Sequence, residues 1–227
     1  MCGRFAFFSP HEAVRRLFLP DDALPAGWAL PSRWNIAPTL DVAAVRARAG
    51  GGRELAALHW GLVPSWAGER TIGARMINAR AETLAEKPAF RAAFRKRRCL
   101  VLADGWYEWR AVAGGKQPYF IRLVSAEPFG MAGLWESWRD SVTGATLESC
   151  TIVTRAAAEE VREIHVRMPA IVPPAAHAAW LDPAGDAAGA LAMVLAENGR
   201  PTLVAAAVSR RVNNPRNDGP ELIAALA

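Results

Sequence analysis

The chain has 227 residues, 52% of them hydrophobic, with a mean hydropathy of +0.05, the balance of a globular protein with a substantial core rather than of a disordered or repetitive one. No apolar run reaches the roughly 18 residues of a membrane span, and the N-terminus lacks the basic, apolar, small-residue order of a secretory signal, so a membrane partner is excluded and a cytoplasmic setting is expected. The net charge of +5 comes from 24 arginines and only 3 lysines against 22 acids; arginine's planar fork suits phosphate, yet an alanine- and arginine-rich coding sequence produces the same balance, so charge alone does not decide for nucleic acid.

The chain opens Met1-Cys2-Gly3-Arg4-Phe5, and Phe5 and Phe7, opposite Phe8, read as packing residues of a first strand. Ser9-Pro10-His11-Glu12 has the Ser-x-x-Glu form of a capping box with proline at the first helical position, which predicts a short helix to about Leu19. Residues 41–48 and 53–60 flank Gly50-Gly51-Gly52 as a hairpin. A helix is expected over 88–97, its basic end Arg95-Lys96-Arg97-Arg98 being solvated and complementing the helix dipole. Strands follow over 99–103, 106–111, 117–124, 129–135 and 147–154, then helices over 155–164, 174–181 and 187–198, the last closed by Gly199. Strands and helices do not alternate regularly, so the expected fold is α+β: a curved, mostly antiparallel sheet with peripheral helices in a single domain spanning 1–227. Cys2, Cys99 and Cys150 cannot all pair and form no C-x-x-C unit, which argues against a disulfide framework and a structural metal.

Cys2 is the most informative residue. Removal of Met1 would make it N-terminal, with an amine that forms a Schiff base with an aldehyde and a thiol that closes on it to a thiazolidine. Several further stretches combine unusual residues: Trp34-Asn35-Ile36-Ala37-Pro38, Trp60-Gly61-Leu62-Val63-Pro64-Ser65-Trp66, Asn78-Ala79-Arg80, Asp104-Gly105-Trp106-Tyr107-Glu108-Trp109, Ala132-Gly133-Leu134-Trp135-Glu136 and His165-Val166-Arg167-Met168-Pro169. With the opening pentapeptide they resemble, in order, the motifs of the SOS response-associated peptidase family, also called abasic-site processing proteins, with a weaker match at 213–223.

The resemblance implies a barrel-like α+β domain that acts as a monomer without metal or cofactor. Its partner would be single-stranded DNA containing abasic sites, with nucleoid association when bound, and Cys2 would form a covalent thiazolidine crosslink. Carried over residue by residue, Cys2 is the nucleophile and Asn78, Glu108 and His165 its catalytic neighbours. Arg4, Trp66, Arg80 and Arg167 contact DNA, with Asn35, Pro38 and Thr154 as further contacts. Leu102, Trp106 and Ala67 depart from the pattern, the last where some members carry a second tryptophan for base stacking.

The residues support this chemistry independently. Schiff-base formation needs a neutral amine and loss of water from a carbinolamine, so Glu108 suits removal of a proton from the amine or holding of the thiol, His165 protonation of the sugar ring oxygen, and Asn78 orientation of the amine or the sugar without titration. An arginine stands two residues after each proposed reactive group: Arg4, Arg80, Arg110 and Arg167. In an extended strand such pairs share a face. Trp66 follows Pro64 in a loop and is the stacking candidate, whereas Trp135, Trp138 and Trp180 read as structural. Three readings follow: a crosslinking protein with possible Schiff-base lyase activity, a thiol peptidase with Cys2 as nucleophile and His165 as base, and a non-catalytic single-strand binding module.

Overall fold

The computed structural model describes residues 2–19 and 31–226. Among these, β-branched and aromatic runs punctuated by glycine form thirteen strands. In chain order they are β1 (Phe5–Phe7), β2 (Arg33–Ile36), β3 (Asp41–Ala47), β4 (Arg53–Trp60), β5 (Asn78–Arg80), β6 (Arg98–Ala103), β7 (Gly105–Val112), β8 (Gly115–Leu123), β9 (Phe129–Arg139), β10 (Thr146–Ala156), β11 (Arg167–Pro169), β12 (Ile171–Val172) and β13 (Leu203–Ala207). The helices are α1 (His11–Phe18), α2 (Arg91–Lys96), α3 (Glu159–Arg162), α4 (His177–Leu181) and α5 (Ala187–Leu195).

Five strands close on themselves. β4 pairs antiparallel with β3, β3 with β6, β6 with β9 and β9 with β10, and β10 returns to β4 in parallel through Ser149↔His59 and Cys150↔Trp60. Closure leaves no unpaired edge in this ring, while β5 and β11 pair with β10 beyond its contacts with β4 and β9, respectively, and β12 pairs with β9. A second, wholly antiparallel sheet runs β13-β8-β7-β1-β2. The expected α+β fold with a mostly antiparallel, barrel-like core is therefore the one adopted.

The second sheet lies between two cores, and β1 shows how. Phe5 and Phe7 pack into the large core with Trp60 and Trp106, whereas Ala6 joins Tyr107, Phe120, Val208, Val212 and Leu222, with Phe8 packed against them. The period-two alternation of this stretch thus sends one face to each core. At the end of β4, Gly61 (φ 137°) and Gly73 approach so closely that a Cβ on Gly61 would lie 2.7 Å from the Gly73 oxygen. That contact seats a 3-10 segment, Arg70–Arg75, on the strand end and leads the chain into β5.

Several elements differ from expectation for identifiable reasons. Ser9 does not cap α1, because its hydroxyl and N–H, with the N–H of Phe8, are all held by the Asp104 carboxylate; Pro10 takes the cap position with no side-chain bond. The helix expected over 155–164 is reduced to α3, since β10 continues to Ala156 by pairing with β11 at Ala156↔Arg167. α5 ends at Leu195, and Gly199 (φ 82°) serves a later turn. The basic run also divides. Arg95 and Lys96 are exposed, but Arg98 is buried and donates to the carbonyls of Phe94 (2.7 Å), Arg95 (2.8 Å), Trp180 (2.6 Å) and Asp182. A guanidinium has enough directed donors to close the end of α2 and of α4 together.

Candidate active site

Cys2 and Arg4 immediately precede β1, Asn78 opens β5, Glu108 lies in β7, and His165 stands two residues before β11. The fold makes these distant segments neighbours. Asn78 Nδ2 donates to the Cys2 carbonyl at 2.7 Å, and its Oδ1 is buried without a hydrogen-bond partner. Cys2 is fully buried. Burial, reinforced by the negative charge of Glu108, pushes its thiol far above the ordinary range. Glu108 is also buried, and desolvation raises its carboxyl above the usual carboxylate value, opposed in part by the charge of His165. These four residues are therefore linked through the Asn78–Cys2 hydrogen bond and a chain of charge interactions.

His165 has an anchor that tolerates a change of proton. Its Nδ1 lies 3.0 Å from both the N–H and the carbonyl oxygen of Arg167. A neutral ring accepts from the N–H and carries its proton on Nε2, while a protonated Nδ1 donates to the oxygen. Neither state loses its orientation.

The N-terminal strand is held from both sides. Tyr107 N–H donates to the Arg4 carbonyl (2.9 Å), Asp104 N–H to that of Ala6 (2.8 Å), and Phe5 meets Trp60 edge-on at 5.1 Å. Arg4 Nη1 donates to Asn35 Oδ1 (2.8 Å) and to the Val212 carbonyl (2.9 Å). Asn35 is completely buried; its amide nitrogen faces the carbonyls of Val212, Asn214 and Asn217 at 3.2, 3.1 and 2.7 Å. Asp218 completes the clasp by accepting from the N–H groups of Trp34 (2.6 Å) and Asn35 (3.1 Å). Pro38 is half-buried beside Thr39 (φ 70°).

The remaining residues expected at DNA divide by exposure. Trp66 is 62% exposed, and its loop is pinned where Trp138 Nε1 donates to the Ala67 carbonyl at 2.6 Å. Arg80 and Arg110 are exposed. Arg80 ends β5 in register with Thr154 of β10. Thr154 is buried, and Arg167 Nη2 donates to its carbonyl (2.6 Å) and hydroxyl (3.3 Å). Asn78, Arg80, Thr154 and Arg167 thus gather on β5, β10 and β11, while Asn35 and Thr154 lie beneath the surface as supports. The sequence reading missed Glu82, whose carboxylate takes both Arg167 nitrogens, Nη1 at 2.6 Å and Nη2 at 3.0 Å. A signal was available, since Glu82 continues the alternation Asn78, Arg80 by two more residues. It also missed Asp104 and Asp218, which organise backbone far away in sequence.

Among the described residues there is no group of three or more His, Cys, Asp or Glu side chains placed to hold a metal ion, and no helix long and apolar enough to cross a membrane.

Residues 1–215 match the family described as SOS response associated peptidase (SRAP). The chain is 40% identical to the abasic site processing protein YoqW of Bacillus subtilis over 224 residues, covering 98% of this chain and 99% of that protein. It is 36% identical over 200 residues to the abasic site processing protein HMCES of Xenopus tropicalis, covering 77% of this chain and 58% of that longer protein. A crystal structure of a protein from Bacteroides thetaiotaomicron has the same fold, with a TM-score of 0.84 at 24% identity over the full length of both chains.

Proposed function

The chain belongs to the SOS response associated peptidase (SRAP) family, and from that premise we propose that it processes abasic sites in single-stranded DNA by covalent capture through Cys2. With Met1 removed, the Cys2 amine adds to the aldehyde of the opened deoxyribose, and the carbinolamine loses water to give a Schiff base. The thiol sulfur then adds to the imine carbon while its proton passes to nitrogen, closing a thiazolidine. Glu108 takes the proton that the attacking nitrogen must lose, and His165 protonates the sugar ring oxygen as the aldehyde is unmasked. Asn78 holds the Cys2 carbonyl and turns its unpartnered Oδ1 to the reacting sugar. Arg80, Arg167 and Trp66 bind the flanking strand, with Arg4, Asn35, Pro38 and Thr154 shaping the surface beneath. The protein acts as a single-domain monomer in the cytoplasm, on the nucleoid when DNA is bound.

The observation that carries this reading is the environment of the thiol. A thiol peptidase needs a thiolate, made available by nearby positive charge; at Cys2, burial and then the Glu108 carboxylate drive the thiol the other way and outweigh the N-terminal charge and the Arg4 backbone hydrogen bond that favour the thiolate. A sulfur kept protonated is a poor first nucleophile, but it closes readily on an imine already formed beside it by the amine, because the two share one residue.

The test is intact-mass spectrometry of protein lacking Met1 after incubation with an abasic single strand. The expected result is a one-to-one adduct, stable without reduction, that Cys2→Ala and Cys2→Ser both abolish, while either variant, which keeps an N-terminal amine, leaves a reducible Schiff base and strand cleavage by β-elimination. An absent stable adduct, or one of equal yield from Cys2→Ala, refutes covalent capture; unaltered DNA binding by Cys2→Ser with no adduct from wild type would identify a binding module instead.

A further inference from the structure

Arg167, on the β5–β10–β11 surface, has its fork already filled by a side chain. Glu82 meets it bidentately, at 2.6 and 3.0 Å, the geometry with which a guanidinium also binds phosphate. The two partners differ in freedom. The Arg167 side chain is 16% exposed and is pinned separately by the Thr154 carbonyl, whereas that of Glu82 is 54% exposed. If the carboxylate swings away, the guanidinium keeps its position with Nη1 directed outward.

Glu82 also sits where the expected phosphate contacts converge. It lies in the 3-10 turn Ala81–Thr83 that directly follows β5, the strand carrying Asn78 and Arg80. Its carboxyl is held below the ordinary value, first by the hydrogen bonds from Arg167 and to a lesser degree by the charge of Arg80. A single anion is thus addressed by both arginines assigned to the DNA backbone.

We propose that Glu82 is a resident substitute for a DNA phosphate in the Arg167 fork, and that a single strand binds there by displacing it. This rests on the reading of β5, β10 and β11 as a DNA surface. Displacement weakens reversible binding to every strand, damaged or not. Covalent capture at an abasic site does not reverse with it, so Glu82 widens the discrimination between lesion and undamaged DNA.

Salt dependence separates this role from simple support of Arg167. A phosphate that takes a free arginine releases about 0.7 of a bound cation from single-stranded DNA. A phosphate that evicts Glu82 releases almost none in net terms, because the freed carboxylate recruits cations of its own.

The experiment is fluorescence anisotropy of labelled oligothymidine with the full chain, as wild type, Glu82→Gln, Arg167→Gln and the double variant, between about 50 and about 200 mM salt. Unfolding curves run in parallel normalise each protein to its folded fraction. Glu82→Gln is expected to bind about 3- to 10-fold tighter at the low-salt end, with a slope of log K against log salt steeper by about 0.7, and the gain is expected to vanish in the double variant. If Glu82→Gln binds no tighter while Arg167→Gln weakens binding, Glu82 is only a strut and the proposal fails, with the DNA surface left standing. A gain that survives in the Arg167→Gln background shows a general charge effect and refutes the fork. Equal binding by wild type and Arg167→Gln overturns both the proposal and the role of Arg167 at DNA.

Discussion

Replacing Asn35 with alanine distinguishes a buried clamp from a DNA contact. The Asn35 side chain accepts from Arg4 and faces three backbone carbonyls of the C-terminal segment. After truncation Arg4 and the Val212 carbonyl still hold each other at 2.9 Å, and the Asn214 carbonyl keeps the N–H of Asn217 at 3.1 Å, so the group left without its donor is the carbonyl of Asn217. It is only partly buried and costs about 1 kcal/mol, the low end for an orphaned group. The void and the loosened Arg4 bring the expected loss to about 2 kcal/mol, a sizeable share of the roughly 5–15 kcal/mol that holds a domain together. Arg4 and β1 carry Cys2, so the crosslinking rate at saturating DNA should also fall, by about 10- to 100-fold, as the nucleophile drifts by about an ångström. Asn35→Asp keeps the acceptor for Arg4 but turns a carboxylate on carbonyl oxygens, and should be worse than alanine in stability. Urea unfolding and single-turnover crosslinking to an abasic oligonucleotide read the two effects. An unchanged unfolding midpoint together with weakened affinity for undamaged single strands would refute the clamp and restore Asn35 as a direct DNA contact.

Glu108 sets the pH dependence. Its carboxyl is raised, chiefly by desolvation, so it stays protonated to higher pH than the ordinary value of about 4.3 and is a base only above its raised value. The crosslinking rate should therefore increase with pH through a limb displaced above about 4.3. Glu108→Gln should remove that limb, lower the plateau by about 10²- to 10³-fold, and leave the separate limb of the Cys2 amine near about pH 8; a limb at the ordinary value, or one that persists in the glutamine variant, contradicts the base role. Arg98→Met should cost about 3 kcal/mol in urea unfolding, because four carbonyls lose the guanidinium at once and that of Asp182 is left with the N–H of Gly185 at 3.2 Å. Lysine should restore little of it, since an ammonium cannot reach both helix ends, and the crosslinking rate of the folded fraction should not change; a loss below about 1 kcal/mol would show that water replaces the guanidinium.

Local chemistry made part of this fold legible. The β3–β4 hairpin was readable because Gly50, Gly51 and Gly52 all take positive φ, and the two faces of β1 because Phe5 and Phe7 alternate with Ala6. What escaped depends on partners far away in sequence. Arg155 and Ala156 look helical by composition and become strand through their pairing with Met168 and Arg167. Ser9 and Glu12 have the form of a capping box, but Asp104, some 95 residues on, claims the serine. The site divides in the same way. Cys2, Asn78, Glu108 and His165 were legible as residue types that reacting groups need, in motifs that resemble a family's. Glu82 and Asp218 were not, because an acid near arginines reads as a solvated surface pair until the fold shows what it occupies.

The burial of Cys2 looks at first like an obstacle to reactivity, and the proposed order of events turns it to use. An exposed low-pKa thiolate would react with oxidants and stray electrophiles; a buried thiol beside a carboxylate does neither. In the proposed order the amine gives its proton to Glu108 and meets the aldehyde first, as a neutral nucleophile. Once the imine forms, the sulfur needs no free thiolate, because attack and proton loss occur within one five-membered ring closure, with Glu108 nearby. Glu108, whose charge adds to burial in raising the thiol, is then placed to relay that proton to the nitrogen, having given its own to the departing water. A site built this way is selective by sequence of events: sulfur is committed only after a carbonyl has already been captured by nitrogen.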